Sequence, residues 1–371
     1  MKPIAVVCAF ATLTSLACRQ AGSLAEKAGT FPAMTPDVVF EDDSLGWIVE
    51  IALAGDRLVA LDAMLAPAVH VVDLLSSRRL GSYGQSGDGP GEFQDPEQIV
   101  SGVSRSGEEV WILDGVHQRL TRLSLVDIER GDAAEPETFR MDGPNAGSLV
   151  RAPDGRWFAG GWITEGRVAR YNADRSYDRT IVGFPPEAAE APGMTLLQAY
   201  ESWVVADPGG GRLAAATLFG GLLEIFDYDG IPIARAAVPD PFQPAWVQGR
   251  SRNGRAVMAV GPETRYGFTD LAATRRYLYG VFSGRRLGRE QFAWESREVH
   301  VFTWAGEYVK TLHLDRATEA IAVDESDTWI YASGSEPSPW LARYRLPETL
   351  TRLAAPSVTT CPTCRNQRCN G

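Results

Sequence analysis

Four histidines are the first residues to weigh for chemistry, because an imidazole can ligate a metal or move a proton near neutral pH. They are His70, His117, His300 and His313. His70 and His300 share an apolar-His-apolar-apolar setting. They are therefore expected on equivalent strands, far apart, as edge or surface residues rather than as ligands of one metal. Asp62 and Asp114 each close a strand-like run, where an aspartate is expected to accept hydrogen bonds from turn amides. A serine nucleophile lacks its Gly-x-Ser-x-Gly elbow. Gly87-Asp88-Gly89-Pro90-Gly91 is glycine-rich, but no Lys-Ser/Thr follows and no helix opens after it, so it reads as a turn and not a phosphate loop. These residues name no catalytic group, no metal ligands and no cofactor.

Two further constellations stand out. One is an irregular stretch from Pro241 to Gly267 holding Phe242, Trp246, Arg250, Arg252 and Arg255. Aromatic and cationic groups on an irregular segment suit a ligand-facing rim, since loops on a rigid scaffold are where binding tends to sit. The other is the C-terminal tail, with Cys361, Cys364 and Cys369 within nine residues. In an oxidising compartment a local disulfide is favoured there. A link between chains, a metal site and a redox role remain open, although no thioredoxin-like context surrounds the Cys-x-x-Cys.

The elements that would position these groups are short strands divided by Gly, Pro, Asp and Asn clusters. No segment sustains a 3.6-residue period. A unit recurs instead: a strand often ending in Asp or a small residue, then a strand with apolar-x-apolar spacing. The pairs begin at Arg57 and Val69, Glu109 and Arg119, Gly155 and Arg167, Gly211 and Leu223, Arg276 and Val299, and Thr328 and Leu341. Six units of this kind predict an all-β, six-bladed β-propeller. An insertion, about 241–267, lies between units four and five, and the hairpin of unit five extends over 283–298. Unit six has no clear fourth strand. The segment Pro36 to Glu41 is expected to supply it and so seal the ring without an exposed sheet edge. Trp157, Trp162, Trp203, Trp246, Trp294, Trp304, Trp329 and Trp340 are spread through the units, and several are expected to pack between blades.

The loop Ser82-Tyr83-Gly84-Gln85-Ser86-Gly87-Asp88-Gly89-Pro90-Gly91-Glu92-Phe93-Gln94-Asp95-Pro96 resembles the blade-to-blade connection of NHL-type propellers. The run from Val299 to Asp315, followed by Ile321 to Glu325 and Trp329 to Ala332, resembles the TolB-like six-bladed propellers of bacterial envelope proteins. Thr303 and Ala305 depart from the acidic residues usual near that turn. The resemblance implies an envelope or extracellular binding protein, with some enzymes on the same scaffold, so fold does not become activity. Propeller lactonases hold calcium in the channel with acids from several blades. The positions matched here to Asp62 and Asp114 are Gly160, Ala216, Gly280 and Ala332, which form no such ring.

The N-terminus reads as an export signal: Lys2, an apolar run from Ile4 to Leu16, then Ser15-Leu16-Ala17-Cys18. It resembles a lipoprotein signal in which Cys18 is lipidated, although Ser15 stands where leucine is usual. Ordinary secretion is the alternative. The expected organisation is therefore a signal over 1–18, a tether over 19–36, the propeller over 37–347 and the cysteine tail over 348–371. The net charge is −11, which argues against a nucleic-acid partner and against binding anionic lipid through surface charge. Basic residues other than arginine are few, with lysine only at 2, 27 and 310. The expected function is non-enzymatic: an envelope-anchored propeller binding a protein, peptide or glycan, touching the membrane through its lipid alone. A hydrolase or lyase with a channel metal, and a structural envelope component cross-linked through the tail, are the alternatives.

Overall fold

The computed structural model describes residues 33–73, 75, 76, 78–100, 107–132, 135–188 and 193–351. Cys18 and the signal segment, and Cys361, Cys364 and Cys369 in the tail, lie outside the described residues.

Six antiparallel sheets of four strands make up the propeller. In blade 1 the strands Ile48–Ala54, Arg57–Asp62, Val69–Asp73 and Arg78–Tyr83 pair in chain order. The inner strands of the next four blades are Pro96–Ile99, Asn145–Arg151, Ser202–Ala206 and Phe268–Ala273. Blade 6 has Ala320–Val323, Trp329–Gly334 and Trp340–Arg345, and its outer strand is Val38–Glu41 from the start of the propeller. Val38 pairs with Arg343 and Glu41 with Trp340, so the two ends of the ring are stitched by one hydrogen-bonded ladder. Each inner strand touches the inner strands of the blades on either side, which closes the circle around a central channel.

Successive rather than alternating apolar residues explain why these strands stack as blades. In Arg57-Leu58-Val59-Ala60-Leu61-Asp62 neighbouring side chains point to opposite faces. Leu58 and Ala60 enter the core shared with blade 6, while Val59 and Leu61 enter the core shared with blade 2. A strand covered on both faces needs apolar groups at both parities. Every blade-to-blade interface carries one such core. Trp157 and Trp340 are among the largest side chains buried in them.

This packing corrects the expectation for two histidines. His70 and His300 lie on the third strand of blades 1 and 5, and are 0% and 3% exposed rather than edge or surface residues. The third strand is covered on both faces, and a partner on the outer strand bonds Nδ1 of each ring while each Nε2 is buried without a hydrogen bond. His70 Nδ1 is 3.0 Å from Ser82 Oγ, and His300 Nδ1 is 2.7 Å from Thr311 Oγ1.

Antiparallel pairing sorts the loops onto two faces. Turns joining the second and third strands, and links from an outer strand to the next inner strand, emerge together on what is termed here the mouth face. The other turns emerge on the opposite face. The Gly84–Asp95 loop is such a link, from blade 1 to blade 2. Its Phe93 is buried between those blades, and Gly84, at φ +94°, lies where any Cβ would fall 2.6 Å from the Phe93 ring.

Three short helices among the described residues have no visible period in the sequence, since four to seven residues span two turns at most. α1 (Leu125–Arg130) sits on the opposite face, with Ser124 accepting from the Asp127 amide and Gly131 ending it in the left-handed region at φ 70°. α2 (Gly193–Ala199) lies in the link from blade 3 to blade 4, and α3 (Glu348–Thr351) follows blade 6. The link from blade 4 to blade 5 carries a hairpin, Val247–Arg250 with Ala256–Ala259. The Met258 amide donates to Gln198 Oε1 of α2 at 2.8 Å, and Trp246, Tyr200 and Leu222 pack beneath. The hairpin and α2 thus build a wall on the mouth face over blades 3 to 5.

Candidate functional site

The mouth face is organised first by buried carboxylates. Asp62 is 1% exposed and ends the second strand of blade 1. Its Oδ2 accepts from the Gly46 amide at 2.6 Å, and its Oδ1 from the amides of Trp47 (3.2 Å), Met64 (2.9 Å) and Leu65 (2.9 Å). Burial pushes this carboxyl up, but the His70 ring, with Nε2 at 3.8 Å, and these amides more than reverse it, so it stays below the usual range. The clasp joins two loops and presents Trp47, Met64 and Leu65, all more than a third exposed, side by side at the mouth. Asp114 repeats the device, accepting from the amides of Gln94 (2.9 Å) and His117 (3.1 Å). The expected turn-holding role is what their geometry shows. The second strands of the other blades end at Trp162, Thr217, Phe282 and Gly334, one or two residues beyond the positions matched from sequence.

Bulges shape the channel entrance. The ladder between inner and second strand skips one residue in four blades, at Val49, Glu97, Gly147 and Thr269. A bulge leaves its extra residue out of the ladder and re-aims the chain around it. The residue after the bulge then reaches to the next blade in three cases. Gln98 Oε1 accepts from the Leu149 amide at 2.6 Å, Ser148 Oγ from the Val204 amide at 2.9 Å, and Asp270 Oδ2 from the Ile321 amide at 2.6 Å. Glu50 occupies the same position in blade 1. Burial raises both Glu50 and Asp270, and the Asp270 charge raises Glu50 further.

Above this belt lie two carboxyl pairs on opposite sides of the channel. Glu97 of blade 2 and Glu201 of blade 4 meet over Gly147 of blade 3, where a Cβ would fall 3.6 Å from Glu97 Oε1 and 3.4 Å from Glu201 Oε1. Burial first, then Asp95, Glu201 and Asp114, push Glu97 up to about 8. Burial also raises Glu201, against the Trp162 Nε1 bond at 3.2 Å. The second pair is Glu295 of blade 5 and Glu319 at the start of blade 6. Burial, Glu319 and Glu336 push Glu295 up to about 7. Glu319 accepts from Ser335 Oγ at 2.6 Å and from Trp47 Nε1, yet burial still raises it. The Trp47 and Trp294 rings stand 6.3 Å apart above this pair, and Phe292 meets Trp294 edge-on at 5.4 Å. The mouth therefore carries two pairs of carboxyls whose burial favours the protonated form, beside the exposed rings of Trp47 and Trp162.

The rim residues expected from sequence divide. Arg250, Arg252 and Arg255 are exposed on one hairpin, with Arg250 donating to the Gly254 carbonyl at 3.0 Å. Phe242 and Trp246 turn inward. Arg265 caps the Phe242 ring at 4.1 Å, and Trp246 packs edge-on to Tyr200 at 6.4 Å. The acids of the mouth were missed. They come from four blades and are separated by up to 222 positions from Glu97 to Glu319. The available signal was positional: Glu97, Glu201 and Glu319 each stand at the start of an inner strand. A separate cleft of about 350 Å³ lies on the outer flank of blade 2, between Tyr83, Asp127 and Glu137. Arg122 bonds Glu109 (2.6 Å) and Glu137 (3.2 Å) there, so part of its acidity is already neutralised. Among the described residues no group of three or more His, Cys, Asp or Glu side chains is arranged to hold a metal ion, and no helix is long and apolar enough to cross a membrane.

A six-bladed ring with a loop-built mouth defines the class, and the family follows from sequence. Residues 48–326 match the family model described as "TolB-like 6-blade propeller-like", and the chain belongs to that family. No curated protein is matched by sequence. Among solved structures, Kuenenia stuttgartiensis hydrazine synthase is 11% identical, with 82% of this chain and 97% of that chain covered and a TM-score of 0.47. The β-propeller domain of Cps50 (Swd1) from "Myceliophteria_thermophila" is also 11% identical, covering 85% of this chain and 100% of that one at a TM-score of 0.48. At such likeness neither informs the function.

Proposed function

We propose that this protein is a non-enzymatic, envelope-anchored binding propeller that takes a protein, peptide or glycan partner on its mouth face. One observation carries the reading: the built-up loops, the exposed Trp47 and Trp162, and the charge-labile acids all converge on that face. Aromatic rings beside polar groups are what peptide and glycan surfaces need, and clefts at the mouth of a ring are natural binding sites. The arginine hairpin, with Arg250, Arg252 and Arg255, stands as the outer rim of that surface. Proteins of the TolB-like family are generally periplasmic or envelope-associated, which agrees with export. Cys18 is the lipid attachment point in this reading, and two of the tail cysteines Cys361, Cys364 and Cys369 form a local disulfide.

Site-specific photo-crosslinking in cells tests both halves. A crosslinker at Met64 or Val116 on the mouth face should trap one discrete adduct, and the same group at Leu75 or Ile231 on the opposite face should trap none. Palmitate labelling of the full chain should disappear with Cys18→Ser. Adducts only from Leu75 or Ile231, or labelling that survives Cys18→Ser, would overturn the corresponding half.

A further inference from the structure

We infer that the Glu295–Glu319 corner of the mouth is a seat for a primary ammonium group, such as the head of a lysine side chain or of a free alkylamine. The inference rests on the reading of the mouth face as the binding surface and names the chemistry one part of it recognises.

The hydrogen-bond inventory of the corner is incomplete in a specific way. Glu295 is 3% exposed, and its Oε1 is buried with no donor. Glu319, 7% exposed, already accepts from Ser335 and Trp47. Trp294 Nε1 is buried beside them, short of hydrogen-bond geometry, and favours the Glu319 carboxylate as Trp47 does. A buried carboxylate oxygen left without a donor costs free energy, because it has lost water and gained nothing. Two adjacent carboxyls resolve this alone only by keeping a proton between them. Glu336, exposed nearby, adds a third negative charge that favours the proton.

The Arg285 charge favours the Glu295 carboxylate without bonding it. Arg285 donates to Glu290 at 2.7 Å and to the Phe292 and Glu295 backbone carbonyls at 3.2 and 3.5 Å, holding the loop. Among the described residues no group donates to Glu295 Oε1, which leaves that oxygen to a donor from outside. Trp47 is 39% exposed, and its ring lies 6.3 Å from that of Trp294, so the corner borders solvent through Trp47. Aromatic faces attract a cation once it is partly desolvated. An ammonium has three N–H donors on a compact centre, which suits two carboxyl oxygens from different blades and a flanking ring. A divalent metal wants more oxygen ligands than these two acids supply. Binding would replace the shared proton by the ammonium charge, so one proton leaves as the ligand enters.

The test uses the full chain and two probes: a blocked acetyl-Gly-Lys-Gly-amide peptide and cadaverine. Titration is followed by calorimetry and by tryptophan fluorescence, since Trp47 and Trp294 stand beside the pair. Saturable binding is expected at pH 7. It should weaken at least tenfold in Glu295→Gln and in Glu319→Gln, and be unchanged in Asp174→Asn on the opposite face. Calorimetry in buffers of different ionisation enthalpy should show protons released, and the acetyl-lysine peptide should not bind. Binding of both probes supports a lysine-bearing partner, and binding of cadaverine alone supports a free amine. No saturation by either probe, full affinity in the two Gln variants, or equal competition by calcium chloride would overturn the inference. Thermal unfolding of each variant verifies folding, and Gln keeps the volume of Glu. Mouth-face crosslinks that form in the wild-type protein while neither probe binds it would remove the seat and leave the wider reading standing.

Discussion

Asp62→Ala is the sharpest probe of how this mouth is held. The carboxylate accepts four amide bonds from two loops at 2.6–3.2 Å while almost fully buried. Met64 and Leu65 are exposed, so their amides regain water when the carboxylate goes, at about 0.5 kcal/mol each. The Gly46 and Trp47 amides lie against the strand end and lose a charge-assisted bond, at about 1.5 kcal/mol each. The total is about 4 kcal/mol. With an unfolding entropy of about 2 cal/mol/K for each of roughly 300 residues, Tm falls by about 7 °C. Asp73→Ala is the control. Asp73 accepts from the Leu75 and Ser76 amides at 2.9 and 3.2 Å in an exposed turn, and its loss should cost under about 1 kcal/mol.

Differential scanning calorimetry of both variants, at several pH values, measures these quantities. The folded-state value of Asp62 is depressed below its ordinary 3.8. Its contribution is therefore full above that value and lost as pH falls through the folded value. The gap between wild type and Asp62→Ala should be constant from pH 7 to 5 and close at stronger acid. Equal Tm losses for Asp62→Ala and Asp73→Ala would refute the reasoning, as would a gap that widens in acid.

Two further outcomes follow from the packing. Removal of residues before 42 deletes the outer strand of blade 6, the Arg343–Asp37 pair at 2.5 Å and the burial of Phe40; the protein should aggregate or unfold far below wild type, with Phe40→Ala alone costing about 3 kcal/mol in urea denaturation. Burial, then the His313 charge, lowers His300 to about 4 from its ordinary 6.5. Its contribution is full above 6.5 and lost as pH falls towards 4, by about 3 kcal/mol, so His300→Leu should flatten the decline of Tm over that window.

The strands, the number of blades and the sealing segment were legible from the chain because they are local or periodic properties. Runs such as Glu109 to Asp114 carry apolar groups at both parities, and only a strand buried on two faces tolerates that. Gly84 to Phe93 spells a turn through backbone conformations that few residues other than glycine adopt freely. The mouth was not legible, because its members are brought together by the circle and not by spacing. Glu295 and Glu319 belong to different blades, and Glu97 meets Glu201 only because blade 3 offers Gly147 between them. Bulges that admit one extra residue in an inner strand leave no mark in composition, yet they aim Gln98, Ser148 and Asp270 at the next blade. His70 and His300 make the same point from the core. Their types suggested a surface, and the third strand's coverage on both faces put them inside. Charge and aromatic content were written along the chain; which carboxyls would share a proton was decided by the closure of the ring, since proximity and the loss of water arise only when distant blades are wrapped around one axis.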